Sequence, residues 1–270
     1  MGTITDEVST LPDPGERRSV GDPRAEKEGG TEMRRVGRTR HATLRPGLSM
    51  GALALALGTS ASAGDEEVAL DESRIFIEFN ASANDLGFHV FVDGEDWRKL
   101  RIRSPAGRTI FAVEGRGAFG ELGLTELFFE GAEPSLDEFP REELLALFPE
   151  GEYEFEGRTA GGEELGGEAT LTHAVPAPPA ISAQLGADDE LVIRWEPVTE
   201  PAEGFEGPIE IVAYQVLVDS FQVTLPAAST SVTVPPELVA SLGAGPHGFE
   251  VLAIDASGNQ TIAEGSFERR

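Results

Sequence analysis

The sequence predicts a mainly β protein built from two tandem β-sandwich-like modules, and three observations support this. Apolar and polar residues alternate over short runs, which is typical of half-buried strands. Turn-forming Gly, Pro and Asp residues separate those runs. A proline-rich linker, residues 175–180, divides the runs into two groups, since closely spaced prolines favour an extended connector over a helix or a central strand.

Residues 64–174 form the first predicted module. A short helix is expected at 140–148, because Leu144, Leu145 and Phe148 have helical spacing and Pro140 fits the first helical position. Residues 120–129 fit a strand and a helix equally well, and we identify no family for the module. Strands are predicted from the alternating runs at 74–80, 87–93, 97–103, 109–113, 152–156 and 168–173, the last two as a hairpin.

Residues 177–268 form the second predicted module. Its alternating runs predict strands at 191–195, 209–218, 231–235, 249–255 and 261–267. Along these runs stand Pro178-Pro179, Trp195, Tyr214, Val232, Val234 and the run Val251-x-Ala253-x-Asp255-x-x-Gly258-Asn259.

In the order of these residues the second module resembles the fibronectin type III family. The resemblance implies an immunoglobulin-like sandwich in which these residues belong to the fold rather than to a chemical site. Members of such families carry a tyrosine that bonds back to close a corner before the penultimate strand. His247 occupies that place here, so either His247 substitutes for the tyrosine or the corner is built differently.

The N-terminal residues predict export. Residues 1–32 are polar and are interpreted as a disordered leader or as an over-extended start before Met33. Residues 33–63 run from basic to apolar to small, as in a secretory signal peptide, which predicts cleavage between Ala63 and Gly64. The apolar run is shorter than the ~20 residues that span a bilayer. The mature chain is therefore expected in the periplasm or outside the cell.

Composition excludes several classes of partner and chemistry. The formal net charge is -27, and residues 64–270 carry 40 of the 48 acidic residues but only 12 of the 21 basic ones. Such a surface repels phosphate and anionic lipid, so we expect no nucleic-acid partner and no membrane contact after signal cleavage. The chain has no cysteine, which excludes disulfides and thiolate chemistry.

Two ligand sites are predicted in the first module. Asp85, and then Asp93, Glu95 and Asp96, place oxygen ligands on what look like adjacent loops, and calcium prefers such ligands. The spacing matches no calcium-binding loop, so solvated acidic loops are the alternative. Trp97 follows the acidic residues and is a candidate for stacking on a sugar ring, with packing in the core as its alternative.

The sequence predicts no catalytic residue and no cofactor beyond that possible calcium. Familiar catalytic motifs are missing, and His89 is interpreted as an exposed strand residue. The segment Gly115–Gly120 matches a dinucleotide-binding pattern, but its neighbours are strands and the chain is rich in glycine, so a turn or bulge is favoured.

These observations predict an exported acidic binding or structural-interaction protein without catalytic activity. Its partner would be a protein or a glycan outside the cytoplasm. The alternative is a carbohydrate-active or other hydrolase with its site in residues 64–174.

Overall fold

A computed structural model describes residues 67–270. The predicted leader, the signal peptide and the cleavage site at Ala63 and Gly64 lie outside these residues. The helices are α1 (Ala118–Leu122), α2 (Arg141–Leu147) and α3 (Pro236–Ser241), and none in this range is long and apolar enough to span a membrane. The strands are β1 (Val68–Ala69), β2 (Glu72–Asn80), β3 (Asp85–Arg103), β4 (Thr109–Glu114), β5 (Leu124–Glu130), β6 (Gly151–Thr159), β7 (Glu164–Leu171), β8 (Ile181–Leu185), β9 (Leu191–Trp195), β10 (Ile211–Val218), β11 (Phe221–Pro226), β12 (Ser231–Val234), β13 (Gly245–Asp255) and β14 (Gln260–Arg269).

The first sandwich, β1 to β7, is organised around the long strand β3. Residues 85–93 of β3 pair with β2 and β5, whereas residues 97–103 pair with β4 and β6. The register shifts between these two stretches, so β3 leaves one sheet and enters the other. A Cβ on Gly94 would lie 2.8 Å from the Leu70 side chain, so a larger residue at the bend would have to displace Leu70. The prediction of two separate strands at 87–93 and 97–103 is therefore wrong, because the acidic residues between them continue β3.

The core of the first sandwich is filled from both sheets. Trp97, Tyr153 and Phe155 are among the largest fully buried side chains of the described chain. Helix α2, at the predicted position, adds the buried Leu144. The ambiguous residues 120–129 divide between the end of α1 and β5, so the module contains a second short helix that the sequence did not predict.

The second sandwich, β8 to β14, confirms the predicted immunoglobulin-like architecture. One sheet has the order β12-β9-β8, and the strands β14-β13-β10-β11 form the facing layer. Between them, Trp195 and Tyr214 are buried with ring centroids 5.4 Å apart. The predicted strands are present, and β8, β11 and α3 are additional elements.

A corner bond precedes the penultimate strand in both sandwiches. His247 Nε2 lies 2.8 Å from the carbonyl oxygen of Gly243, so this histidine substitutes for the tyrosine of the family pattern. In the first sandwich, the Tyr153 hydroxyl donates to the Pro149 carbonyl at 2.9 Å. Each bond spans four residues and follows a short helix, α3 or α2.

The two sandwiches meet at a seam where β2 and β14 pair in parallel. The Asn259 side chain reinforces this seam, since it accepts from the Ile77 amide at 2.8 Å and donates to the Ala174 carbonyl at 2.9 Å. The linker at 175–180 is therefore no free spacer, and its Val175 is fully buried. The buried apolar residues form two clusters, and the first of them includes Ala202 and Phe205 from beyond the linker. The exact module boundary stays a prediction.

Candidate functional site

Of the carboxylates predicted to bind calcium, Asp85 lies far from the other three. Asp85 and Asp93 lie eight residues apart on the same extended strand, which separates them by about 26 Å at ~3.3 Å per residue. Glu95 and Asp96 are exposed near the bend of β3. The sequence placed these residues on adjacent loops, and the continuity of β3 removes that proximity.

Trp97 has none of its surface exposed and belongs to the core of the first sandwich. It stands where β3 crosses between the sheets, which turns its side chain inward. No face of the indole is available to a sugar, so its interpretation as a core residue is correct.

A groove runs over the outer face of the sheet formed by β4, β3, β6 and β7. Leu100 and Ile102 of β3 point into the core, so the alternating Lys99, Arg101 and Arg103 point outward. The groove has a volume of about 980 Å³. Its charged lining residues are Glu67, Lys99, Arg101, Glu114, Arg116, Glu156, Arg158 and Glu164.

Strand register places four charged side chains in one row across this groove. The row reads Glu114 on β4, Lys99 on β3, Arg158 on β6 and Glu164 on β7. Lys99 Nζ lies 3.2 Å from a Glu114 carboxylate oxygen, and Arg158 Nη2 lies 2.9 Å from one of Glu164. The two cations thus occupy directly opposed central positions. Within residues 67–270, the carboxylate paired with each cation is the one on its outer side, and Arg158 Nη1 also donates to the Gly162 carbonyl at 3.0 Å.

The adjacent row is held by arginine–carboxylate pairs. Arg101 and Arg103 both donate to Glu156, Arg103 Nη1 at 3.1 Å. The hydrogen bond from Arg101 lowers the pKa of the Glu156 carboxyl, and the hydrogen bond from Lys99 lowers that of Glu114. These carboxylates therefore stay ionised at neutral pH, and the groove keeps charges of both signs.

A second group of polar side chains surrounds His89, which the sequence predicted to be exposed. His89 is only 4% exposed, and its ring stacks on Phe76 at a centroid distance of 5.0 Å. Its Nε2 lies 3.8 Å from carboxylate oxygens of both Glu78 and Glu133, and its Nδ1 lies 3.8 Å from one of Glu130. We call His89 and these three glutamates the His89 cluster.

Burial sets the protonation of the His89 cluster. It raises the pKa of Glu78 to about 7, against the opposing effect of a hydrogen bond from Gln260 and with a smaller addition from the neighbouring Glu133. Burial also raises the pKa of Glu133 and lowers that of His89. At neutral pH the cluster therefore carries less charge than its composition suggests.

No family model matches the chain, and no curated protein matches it. Among solved structures, it is similar to a segment of two fibronectin type III domains from chicken tenascin at 10% identity and a TM-score of 0.27, covering 75% of this chain and 98% of that one. A bacterial ice-binding adhesin gives 11% identity and a TM-score of 0.23, over 76% of this chain and 65% of that one. The spore cortex lytic enzyme of Clostridium perfringens gives 16% identity and a TM-score of 0.28, over 35% of this chain and 28% of the enzyme. These similarities carry no information on a ligand or a reaction, and the sandwich fold follows from the strand pairing alone.

Proposed function

We propose that this chain is an exported acidic binding or structural-interaction protein, and that the groove over β3, β4 and β6 receives an anionic group of its partner. The partner is a protein or a glycan in the periplasm or outside the cell. The observation that carries the proposal is the opposition of Lys99 and Arg158 at the centre of the groove.

Directly opposed like charges on neighbouring strands destabilise a sheet. An anion placed between Lys99 and Arg158 relieves that repulsion and offers the Arg158 guanidinium a carboxylate or sulfate, which it can bind through two parallel hydrogen bonds. The existing pairs with Glu114 and Glu164 are solvent-exposed, and such pairs contribute little stability, so they exchange readily for a ligand.

The surrounding acidic surface narrows the ligand class. Residues 64–270 carry a large excess of acidic residues, which repels a polyanion at long range. The groove therefore suits a partner with an isolated anionic group among neutral ones, such as a glycan with occasional uronic acid residues.

Binding is tested by applying the purified chain to an array of acidic and neutral glycans and acidic peptides at low and high salt. We expect selective binding to members with isolated anionic groups, weakened by salt. Arg158→Gln is expected to reduce affinity about tenfold, the loss of one charge-assisted contact. The matched control, Arg194→Gln, changes an exposed arginine on β9 of the second sandwich and is expected to bind like the parent. Equal binding by both variants would overturn the assignment of the groove.

The hydrolase alternative is tested with a panel of glycoside and ester substrates, on which we expect no turnover. Turnover that is lost in Glu114→Gln or Glu156→Gln would replace binding by catalysis as the function of the first sandwich. Export is tested separately by the mass of the secreted chain, which is expected to begin at Gly64. A secreted chain that begins far from Gly64 would contradict the predicted cleavage.

A further inference from the structure

Three ligand atoms from three separate segments converge at the His89 cluster. Glu78 belongs to β2, His89 to β3, and Glu133 to the connection between β5 and α2. One ligand atom of each lies within 4.8 Å of the other two, the one such group of three found within residues 67–270. The ring nitrogen His89 Nε2 is 3.8 Å from both carboxylates.

His89 Nε2 is buried and has no hydrogen-bond partner within the described residues. A buried polar atom without a partner is costly, and the protein retains one at the point where two carboxylates face it. A neutral imidazole nitrogen with a free lone pair can bind a metal ion, and the neighbouring carboxylate oxygens at 3.8 Å are too distant to satisfy it by a hydrogen bond.

The other nitrogen of the ring lies close to a third carboxylate. His89 Nδ1 is 3.8 Å from a Glu130 carboxylate oxygen, which is longer than a hydrogen bond. Metal-binding histidines commonly donate their second N–H to a carboxylate, which fixes the tautomer and directs the bare nitrogen at the ion. Glu130 would become a positioning residue if its carboxylate closed to hydrogen-bond distance of Nδ1 when the ion binds, which would leave Nε2 unprotonated.

The surrounding residues hold both carboxylates in place. A Cβ on Gly87 would lie 2.7 Å from Glu133 Cγ, so only a glycine at that position lets the Glu133 side chain lie across β3. Gln260 on β14 donates to Glu78 Oε2, which leaves Glu78 Oε1 directed at His89.

We propose that Glu78, His89 and Glu133 bind a divalent first-row transition metal ion, with Zn²⁺ as the fitting probe. Imidazole nitrogen with carboxylate oxygen suits such ions, whereas calcium takes oxygen ligands alone. Two carboxylates neutralise the charge of the ion. Tetrahedral ligands about 2.1 Å from zinc are about 3.4 Å apart. The two observed separations of 3.8 Å, from His89 Nε2 to Glu78 and to Glu133, therefore close by small movements of both glutamate side chains.

The ion would join β2 and β3 to the connection that precedes α2. Its binding is independent of the groove, which lies on the other sheet of the first sandwich. A bound ion stabilises the folded chain because the three ligands come together only after folding.

The experiment is a calorimetric titration of the full chain with Zn²⁺ in a buffer free of chelators, with the melting temperature measured in parallel. We expect one high-affinity site per chain and a rise in melting temperature. Glu133→Gln is expected to weaken Zn²⁺ binding at least tenfold and to remove that rise. Its matched control, Glu138→Gln, changes an exposed glutamate of the same connection and is expected to behave like the parent.

Two further measurements keep the test independent of folding defects. His89→Gln removes the nitrogen ligand, whereas His247→Gln serves as its control and is expected to retain the site. Competition with Ca²⁺ in equal amount is expected to leave Zn²⁺ bound. The proposal is overturned if the parent shows no stoichiometric site, if Glu133→Gln and Glu138→Gln bind equally, or if Ca²⁺ displaces Zn²⁺.

Discussion

The two sandwiches share one strand plan and differ in how their second and third strands are connected. Each has a three-stranded layer, β2-β3-β5 or β8-β9-β12, that faces a second layer with four main strands, β4-β3-β6-β7 or β14-β13-β10-β11. The two-residue strand β1 adds a fifth strand to the second layer of the first sandwich. In the first sandwich the two strands are successive stretches of β3. In the second sandwich, β9 and β10 are separated by a loop at 196–210.

That loop is where the second sandwich contributes to the first. Its Ala202 and Phe205 are buried in the first core, and Arg141 of α2 lies over the Phe205 ring at 5.0 Å. The second stretch of β3 carries the charged residues Lys99, Arg101 and Arg103 on the outer face of the first sandwich. The loop at 196–210, in contrast, attaches the second sandwich to the core of the first. The same strand plan therefore carries a charged groove in the first sandwich and an attachment to its neighbour in the second.

The largest loss of stability is expected from a change at Asn259, the side chain that links the two sandwiches at the seam. It is 1% exposed, and its amide joins Ile77 of β2 to Thr172 and Ala174 before the linker. Asn259→Ala leaves several buried groups without partners, so we expect a loss of about 4 kcal/mol in the free energy of unfolding, at about 1–3 kcal/mol for each such group. Urea denaturation measures it.

The control for Asn259→Ala is Asn80→Ala, which removes an amide on the more exposed side of the same seam. Its expected cost is about 1 kcal/mol. Similar losses in the two variants would show that Asn259 does not hold the seam.

The next largest effect is the pH dependence of stability that Glu78 causes. It distinguishes the buried His89 cluster from the exposed charges of the groove. The pKa of Glu78 is about 7 in the folded chain and 4.5 ordinarily, so the native state binds the extra proton between these values. Stability therefore falls as pH rises from about 4.5 to 7 and then levels off. Glu78→Gln removes this loss and is expected to gain up to about 3 kcal/mol at pH 8 and nothing near pH 4.

This comparison of unfolding free energies at pH 4 and pH 8 is made with a chelator present, which separates it from metal binding. Glu126→Gln on β5 changes the net charge equally at an exposed position. If that control gains as much at pH 8 as Glu78→Gln, general charge repulsion rather than the burial of Glu78 is responsible.

The corner bonds provide a smaller effect. Tyr153 is fully buried, so Tyr153→Phe leaves the Pro149 carbonyl without its partner and is expected to cost about 1.5 kcal/mol. His247 is partly exposed, and water replaces its bond to Gly243, so His247→Phe is expected to cost about 0.5 kcal/mol. Thermal denaturation of both variants measures which corner bond contributes more stability. A larger loss for His247→Phe than for Tyr153→Phe would contradict the expectation that the buried bond contributes more.

The smallest effect is expected in the groove. Arg158→Gln breaks an exposed pair with Glu164 and is expected to change the free energy of unfolding by less than about 0.5 kcal/mol. A loss above about 2 kcal/mol in urea denaturation would mean that the charged rows serve stability rather than binding.

The sequence predicted most strands because alternation is local. The same alternation placed His89 opposite Phe88 and Val90 and therefore on the outer face, where it does lie. The pattern could not predict that this face is covered, because Phe128 and Glu133, which bury His89, lie about forty residues further along the chain.

The sequence predicts only the part of the groove that lies on β3. Lys99, Arg101 and Arg103 alternate with apolar residues, which predicts a charged face. Their partners on β6 depend on register between distant strands, and the opposition of Lys99 and Arg158 has no local signal. The expectation that Asp85 and residues 93–96 lie on adjacent loops is wrong, because nothing in the acidic residues near 93–96 indicates that β3 continues through them. Calcium binding itself stays a prediction.

Scanning calorimetry of the full chain tests most directly whether the seam joins the two sandwiches into one body. The parent is expected to show a single transition whose calorimetric and van't Hoff enthalpies agree, because β2, β14, Asn259 and the 196–210 loop couple the two cores. Two resolved transitions in the parent would contradict this account, since they would mean that the sandwiches unfold independently across the seam.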